Sequence, residues 1–297
     1  MDAADLAAFT ASVRQAAERH AADFDTGLEA VGWREALAED MAAARAVFAI
    51  QGKLNLASSA LDDVLLQALG QRPDPETAVL MAPYPIGTRR LATASRIISV
   101  DVDGVVPIPR DAPTLRQASG IDPAGGWVEL SGSFELHVMG GCVPPPPRDA
   151  ALAAGRLAIA TELAAASRAM LDLARDHAVN RIQFGKPIAS FQAVRHRLAD
   201  ALIAVAAAEA VVDAGWEETT LYTATMAKAI AGRSSRTVAR HAQQVLAGMG
   251  FTAEHPYHRY LRRVLVLDQL LGSTAEISEE MGAAAIRNRE IPAMLRL

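Results

Sequence analysis

Groups able to hold an anion beside a flat ring gather at Arg181, Gln183, Phe184 and Gln192, within the run Arg181-Ile182-Gln183-Phe184-Gly185-Lys186-Pro187 that continues to Gln192. Arginine presents its donors as a planar fork that fits paired oxygens, glutamine both donates and accepts, and phenylalanine offers an apolar wall. Gln244, followed by Gly248 and Gly250, repeats the pairing of an amide with backbone that a ligand can approach closely. Thr274 and Glu276 add a hydroxyl and a carboxylate. Taken singly, Arg181 reads more simply as a surface charge and Phe184 as core packing. The sequence offers no metal-ligand pattern.

These residues need helices to position them. Arg148 to about Asn180, Ser190 to Ala214 and Thr219 to about Leu246 repeat apolar residues at helical spacing, with Thr274 to Arg289 as a fourth helix. Gly185 and Pro187 mark a short turn between the first two, and short links predict an up-down bundle over 149–297. Residues 1–75 read as a shortened helical domain in which Gly52 interrupts a helix. Prolines 73 and 75 then mark a boundary. Residues 76–148 read as a reduced β domain, with strands at 78–81, 96–100, 105–108, 127–130 and 134–138. Four prolines, 144–147, lead to Asp149 as a helix N-cap. The fold class is mainly α with a small β domain.

The chain has 297 residues, 51% of them hydrophobic, and a formal net charge of −5. That charge, without a Lys/Arg run, argues against nucleic acid as a partner. A lone cysteine, Cys142, and the lack of a cationic-then-apolar leader predict a reducing cytoplasm. The longest low-charge apolar stretch, Ala201 to Ala208, is far short of the ~20 residues that cross a bilayer, so no membrane association is expected.

The run from Arg181, with Val194, His196, Leu198 and Asp200 after it, resembles a signature of the acyl-CoA dehydrogenase family of flavoenzymes. Gln244 to Pro256 with Arg259 and Arg262 is similar to the family's Gln-x-x-Gly-Gly-x-Gly segment and its continuation. Gly272-Ser273-Thr274-Ala275-Glu276-Ile277 is similar to its closing Glu-Gly-Thr-x-Glu-Ile. The resemblance implies an N-terminal helical domain, a middle β domain and a C-terminal four-helix bundle. It also implies FAD as cofactor, with Arg181, Gln183, Phe184, Gln192, Gln244, Gly248, Thr274 and Glu276 contacting it and Arg156 at the substrate.

Departures from the pattern fall on one side. The family's base stands at a position that here holds Gly272, or, in some members, just before an arginine that here is Arg156, where this chain has Gly155. The middle-domain residues that wrap the flavin ring also lack a counterpart, whereas residues that touch a neighbour's cofactor remain. The resemblance is therefore to the short, degenerate subunit of heteromeric actinobacterial acyl-CoA dehydrogenases of steroid side-chain breakdown. That implies a second, catalytic subunit as partner, FAD shared with it, and an acyl-CoA held mainly by that partner. A self-sufficient enzyme using Glu162 or Glu254, and a flavin-free scaffold or regulator, are the alternatives.

Overall fold

A computed structural model describes residues 1–109, 114–118, 120–131 and 147–291. The expected strand at 134–138, Cys142 and prolines 144–146 lie outside these residues. Five helices open the chain: α1 Ala3–Arg19, α2 Phe24–Ala30, α3 Trp33–Glu39, α4 Ala42–Leu54 and α5 Ala60–Ala68. Their apolar faces, with Val13, Phe24, Trp33, Leu37, Val47 and Phe48, close a core completed by Ala154 and Ala158 from further along the chain. Gly52 lies inside α4, where its bare Cα lets the helix back onto the Glu162 carbonyl. It marks a close approach and does not interrupt the helix.

Strands β1 Thr77–Met81, β2 Ile86–Gly87, β3 Arg96–Asp101, β4 Gly104–Ile108, β5 Thr114–Gln117 and β6 Val128–Ser131 follow, with a one-turn helix α6 Arg90–Thr93. One sheet has the order β1-β3-β4, with β1 parallel to β3 and Thr77 opposite Arg96; the other is an antiparallel β2-β6-β5. β2 and β5 were not expected. Each is short, and β5 has no buried position, so neither leaves an alternating pattern to read.

The bundle is formed by α7 Arg148–Asn180, α8 Gln192–Glu217, α9 Leu221–Leu246 and α10 Tyr257–Gln269. The fourth helix is α10, which packs on both α7 and α9, whereas α11 Thr274–Asn288 rests on α9 and buries only Ile277. Asp149 lies in the first turn of α7, and Pro147 takes the cap position. Residues 151–164 of α7 are buried on every side. A helix so enclosed needs no single apolar stripe, and its alanines let α4, α9 and α10 pack closely round it. By length and composition α7 passes a test for crossing a bilayer, but 89% of its apolar window is buried inside the fold. α8 keeps an open outer face with Leu202 and Ile203 at 47% and 68% exposure.

Two buried polar clusters join these segments. Asp62 on α5 accepts from the Val79 amide at 2.8 Å and from the Thr88 hydroxyl, while Asp63 accepts from Arg90 Nη1 at 2.6 Å and Trp33 Nε1 at 2.9 Å. Arg263 on α10 donates through Nε to Asp122 at 2.6 Å, and through Nη1 to Glu162 on α7 at 3.3 Å and to the Leu56 carbonyl. Gln51 Nε2 donates to the other Glu162 oxygen at 2.7 Å, and Trp127 Nε1 to Asp122 at 3.1 Å.

Removing one partner of a buried ion pair strands the other charge, which typically costs 3–5 kcal/mol. Arg263→Met is therefore expected to destabilise the chain by about that much in urea unfolding, whereas Arg168→Met, whose half-exposed pair with Glu209 is open to water, is expected to cost under about 1 kcal/mol. Burial raises Asp62 to about 6 from 3.8. A raised folded value means the native state binds the proton more tightly, so this group's contribution to stability falls as pH rises from 3.8 to 6. Unfolding titrations of Asp62→Asn should lose that slope; an unchanged slope would place the titration elsewhere.

Candidate functional site

The last turn of α7 delivers Arg181 to a small hairpin, β7 Ile182–Gln183 against β8 Lys186–Pro187. Its two linking residues, Phe184 and Gly185, have φ of 53° and 77°. Positive φ at both positions makes a tight hairpin turn, a place where Asn and Gly are usual and Phe is not. The turn throws Phe184 outward to 92% exposure, with its ring edge-on to Phe191 at 6.1 Å and Lys186 Nζ 4.6 Å from the Phe191 centroid. Phe184 is thus no core residue.

Arg181, Gln183, Gln192, Gln244 and Gly248 are all exposed, and all stand at the end of the bundle where α7 and α9 finish and α8 begins. Gln183 Nε2 donates to the Ile182 carbonyl at 2.7 Å. A Cβ added at Gly248 would meet open space. The link from α9 to α10 reaches the same corner, where burial, then His255 and Arg181, hold His177 below its ordinary range. Met249 and Phe251 of that link are exposed at 48% and 79%. The sequence reading did not single them out, because a side chain's direction in a short turn leaves no periodic signal. This end can cradle an anion and a planar group, but from one side only.

The remaining predicted residues lie elsewhere. Arg156 and Arg181 are 25 residues apart on and just past one helix, roughly 37 Å at ~1.5 Å per residue. Arg156 is buried and donates to the Leu271 carbonyl at 2.9 Å, Thr225 Oγ1 at 2.8 Å and the Tyr84 hydroxyl at 3.2 Å. Thr274 Oγ1 donates to Asp268 at 2.5 Å, and Asp268 also pairs with Arg236. Glu276 caps its own helix: its carboxylate accepts the Ser273 amide at 2.9 Å, which holds it below the usual range. Lys228, fully buried on α9, donates to the Asp268 and Gly272 carbonyls at 2.9 and 3.1 Å, and burial lowers it to about 7. Its signal in the sequence is a lone charge within Met226-Ala227-Lys228-Ala229-Ile230.

The two positions where the family resemblance puts a base meet here. A Cβ on Gly155 would lie 2.6 Å from Leu271 Cδ1 and 2.9 Å from Leu65 Cδ2; one on Gly272 would lie 3.0 Å from the Tyr84 hydroxyl and 3.2 Å from Arg156 Nη2, at a φ of 102°. A side chain at Gly155 would have to displace Leu271 and Leu65, and one at Gly272 would crowd Tyr84 and Arg156 on a strained backbone. The space bounded by Leu61, Val79, Met81, Leu270 and Leu271 is about 10 Å³, room for one water at most. Glu162 is enclosed by Gln51 and Arg263, burial raising its pKa, and Glu254 is exposed on the link to α10.

Residues 149–286 match the family described as acyl-CoA dehydrogenase, C-terminal domain. Acyl-CoA dehydrogenase IpdE2 of Mycobacterium tuberculosis is 38% identical over 119 residues, which is 40% of this chain and 37% of that protein. The chain thus aligns with well under half the length of this curated relative. Across nearly the whole chain, the fold is similar to the Tcur3481-Tcur3483 steroid ACAD (TM-score 0.72, 18% identity, 96% of this chain and 98% of that one) and to the ChsE4-ChsE5 complex of Mycobacterium tuberculosis (TM-score 0.71, 18% identity, 99% of each). Residues 149–286 thus match the acyl-CoA dehydrogenase C-terminal domain, within a chain whose overall fold is similar to that of the acyl-CoA dehydrogenases.

Proposed function

We propose that this chain is a subunit of a heteromeric FAD-dependent acyl-CoA dehydrogenase. In this reading it lacks a base of its own and completes the cofactor site of a catalytic partner. The observation that carries the reading is the base region: both base positions hold glycine, with Gly155 closed in by the Leu271 and Leu65 side chains and Gly272, at a left-handed φ, by Tyr84 and Arg156. The α,β-dehydrogenation of an acyl thioester begins with removal of the α-proton, and without a positioned carboxylate that proton has no acceptor. FAD, when bound, supplies the acceptor for the β-hydrogen as hydride.

The residues at the exposed end fit the anionic, planar parts of that cofactor. Arg181 would hold a pyrophosphate oxygen pair, Phe184 would lie against a ring, and Gln183, Gln192 and Gln244 with the Gly248 backbone would complete the edge. Thr274 and Glu276 belong to the other end and are engaged within the chain, so in this reading they keep a vestige of the chain's own flavin site. Arg156 likewise serves as the clamp that shuts the substrate region. One-sided exposure of the first group is what a site shared across a subunit boundary requires. The ChsE4-ChsE5 relative is a complex, and the Tcur3481-Tcur3483 relative is named a steroid ACAD. By analogy the substrate is a bulky, steroid-derived acyl-CoA held mainly by the partner. The single cysteine suits a cytoplasmic setting.

Self-sufficiency through Glu162 is disfavoured by its enclosure. Co-purification from the native host supplies the partner for testing. Arg181→Ala in that complex is expected to weaken FAD binding by about 1.5–3 kcal/mol, with the subunits still associated; unchanged flavin affinity would remove Arg181 from the site. The chain alone is expected to dehydrogenate no acyl-CoA. Gly272→Glu should lower its melting temperature and create no activity, because the new side chain meets Tyr84 and Arg156 at a strained φ. Turnover by the lone wild-type chain that disappears in Glu162→Gln or Glu254→Gln would overturn the proposal.

A further inference from the structure

The end of the bundle that carries Arg181 also carries five of the chain's seven histidines: His177, His196, His241, His255 and His258. They are not equivalent. His258 donates Nδ1–H to the His255 carbonyl at 2.8 Å, and His255 Nδ1 accepts from the Tyr257 amide at 3.2 Å, so His255 would give up that bond to take a proton there. His241 faces Arg240, Asp200 and Arg197 between α8 and α9. His241 Nδ1 is buried without a partner among the described residues, and His177 is the histidine nearest Arg181 along the chain. It stands half-buried in the last turn of α7, one turn before Arg181, whose backbone amide donates to the His177 carbonyl at 2.8 Å. Its ring makes no hydrogen bond among the described residues.

Charges at this corner set its proton affinity. Arg181 and His255 face His177 and, together with burial, disfavour the imidazolium in the free chain. Lys186 lies on the adjoining hairpin, and Asp176 on the same helix is tied to Arg175 at 3.0 Å. An anion arriving at Arg181 reverses the balance. It cancels the repulsion from the guanidinium, and it sits at the negative end of α7, where a further cation is needed to offset the helix dipole. An imidazole one turn away on that same end is placed to provide it.

Resting on the assignment of Arg181 to a dinucleotide pyrophosphate, we propose that His177 is a further residue of that anion site, and that ligand binding is coupled to proton uptake at its imidazole. The sign follows from linkage: a ligand that raises proton affinity binds more tightly as protons become available. FAD affinity therefore rises as pH falls from 7.5 to 6.0, by roughly threefold to tenfold for one linked proton.

The test uses the complex with its native partner, stripped of flavin and titrated with FAD, whose pyrophosphate diester carries a fixed charge across this range. Calorimetry in buffers of different ionisation enthalpy counts the protons taken up. The expected result is an uptake approaching about one proton per FAD near pH 6.5, lost in His177→Gln, kept in the remote control His20→Gln, and replaced by pH-independent tight binding in His177→Lys. Zero uptake, or uptake unchanged in His177→Gln, with Arg181→Ala still weakening FAD, overturns the coupling and leaves the shared-site reading standing. If Arg181→Ala has no effect on FAD either, both fall together.

Discussion

A single buried guanidinium holds the molecule together. Arg263 reaches from α10 to Glu162 in the central helix, to Asp122 beside the β6 strand, and to the Leu56 carbonyl of the opening helical segment. Its side chain is 1% exposed, with both carboxylates almost as enclosed. A charge so far from water is tolerable only while every partner stays in place, so the arrangement couples the position of three segments to one another. Glu162, considered from sequence as a base, is therefore half of a structural pair.

The same economy explains the two ends of the bundle. At the end that holds Arg156 and Gly272, polar side chains turn inward: Arg156 onto Leu271, Thr225 and Tyr84, and Lys228 onto the carbonyls of Asp268 and Gly272. Each buried donor finds an acceptor, so the region is stable as a closed one. At the far end the opposite holds. Arg181, Gln192 and Gln244 face outward, and Phe184 is presented on a backbone conformation that favours glycine or asparagine. Exposed aromatic surface next to a cation, held at some backbone cost, is the observation on which the proposed cofactor edge rests.

Much of this was legible in the sequence because it is local. The Arg181–Gln192 run is contiguous, Gly185 and Pro187 announce a turn though not the hairpin it forms, and the helices on either side carry their period. Strands β1, β3, β4 and β6 were found for the same reason. What escaped was tertiary. The choice of α10 over α11 as the fourth bundle helix depends on which faces α7 and α9 leave open, and β2 and β5 exist only through their pairing with β6. Asp62, Arg263 and Lys228 look like ordinary charges until the chain closes round them. The grouping of Thr274 and Glu276 with the Arg181 residues followed family motifs; within this chain the length of α7 separates them.

The central claim is that this chain offers one edge of a cofactor site and no site of its own. A cryo-electron microscopy map of the complex purified with its native partner tests it directly. The account predicts flavin density with its pyrophosphate at Arg181 and Phe184 and its ring enclosed by the other chain, and no flavin beside Arg156 and Gly272. A flavin ring seated between this chain's own β1–β6 strands and the Leu270–Gly272 loop would contradict it.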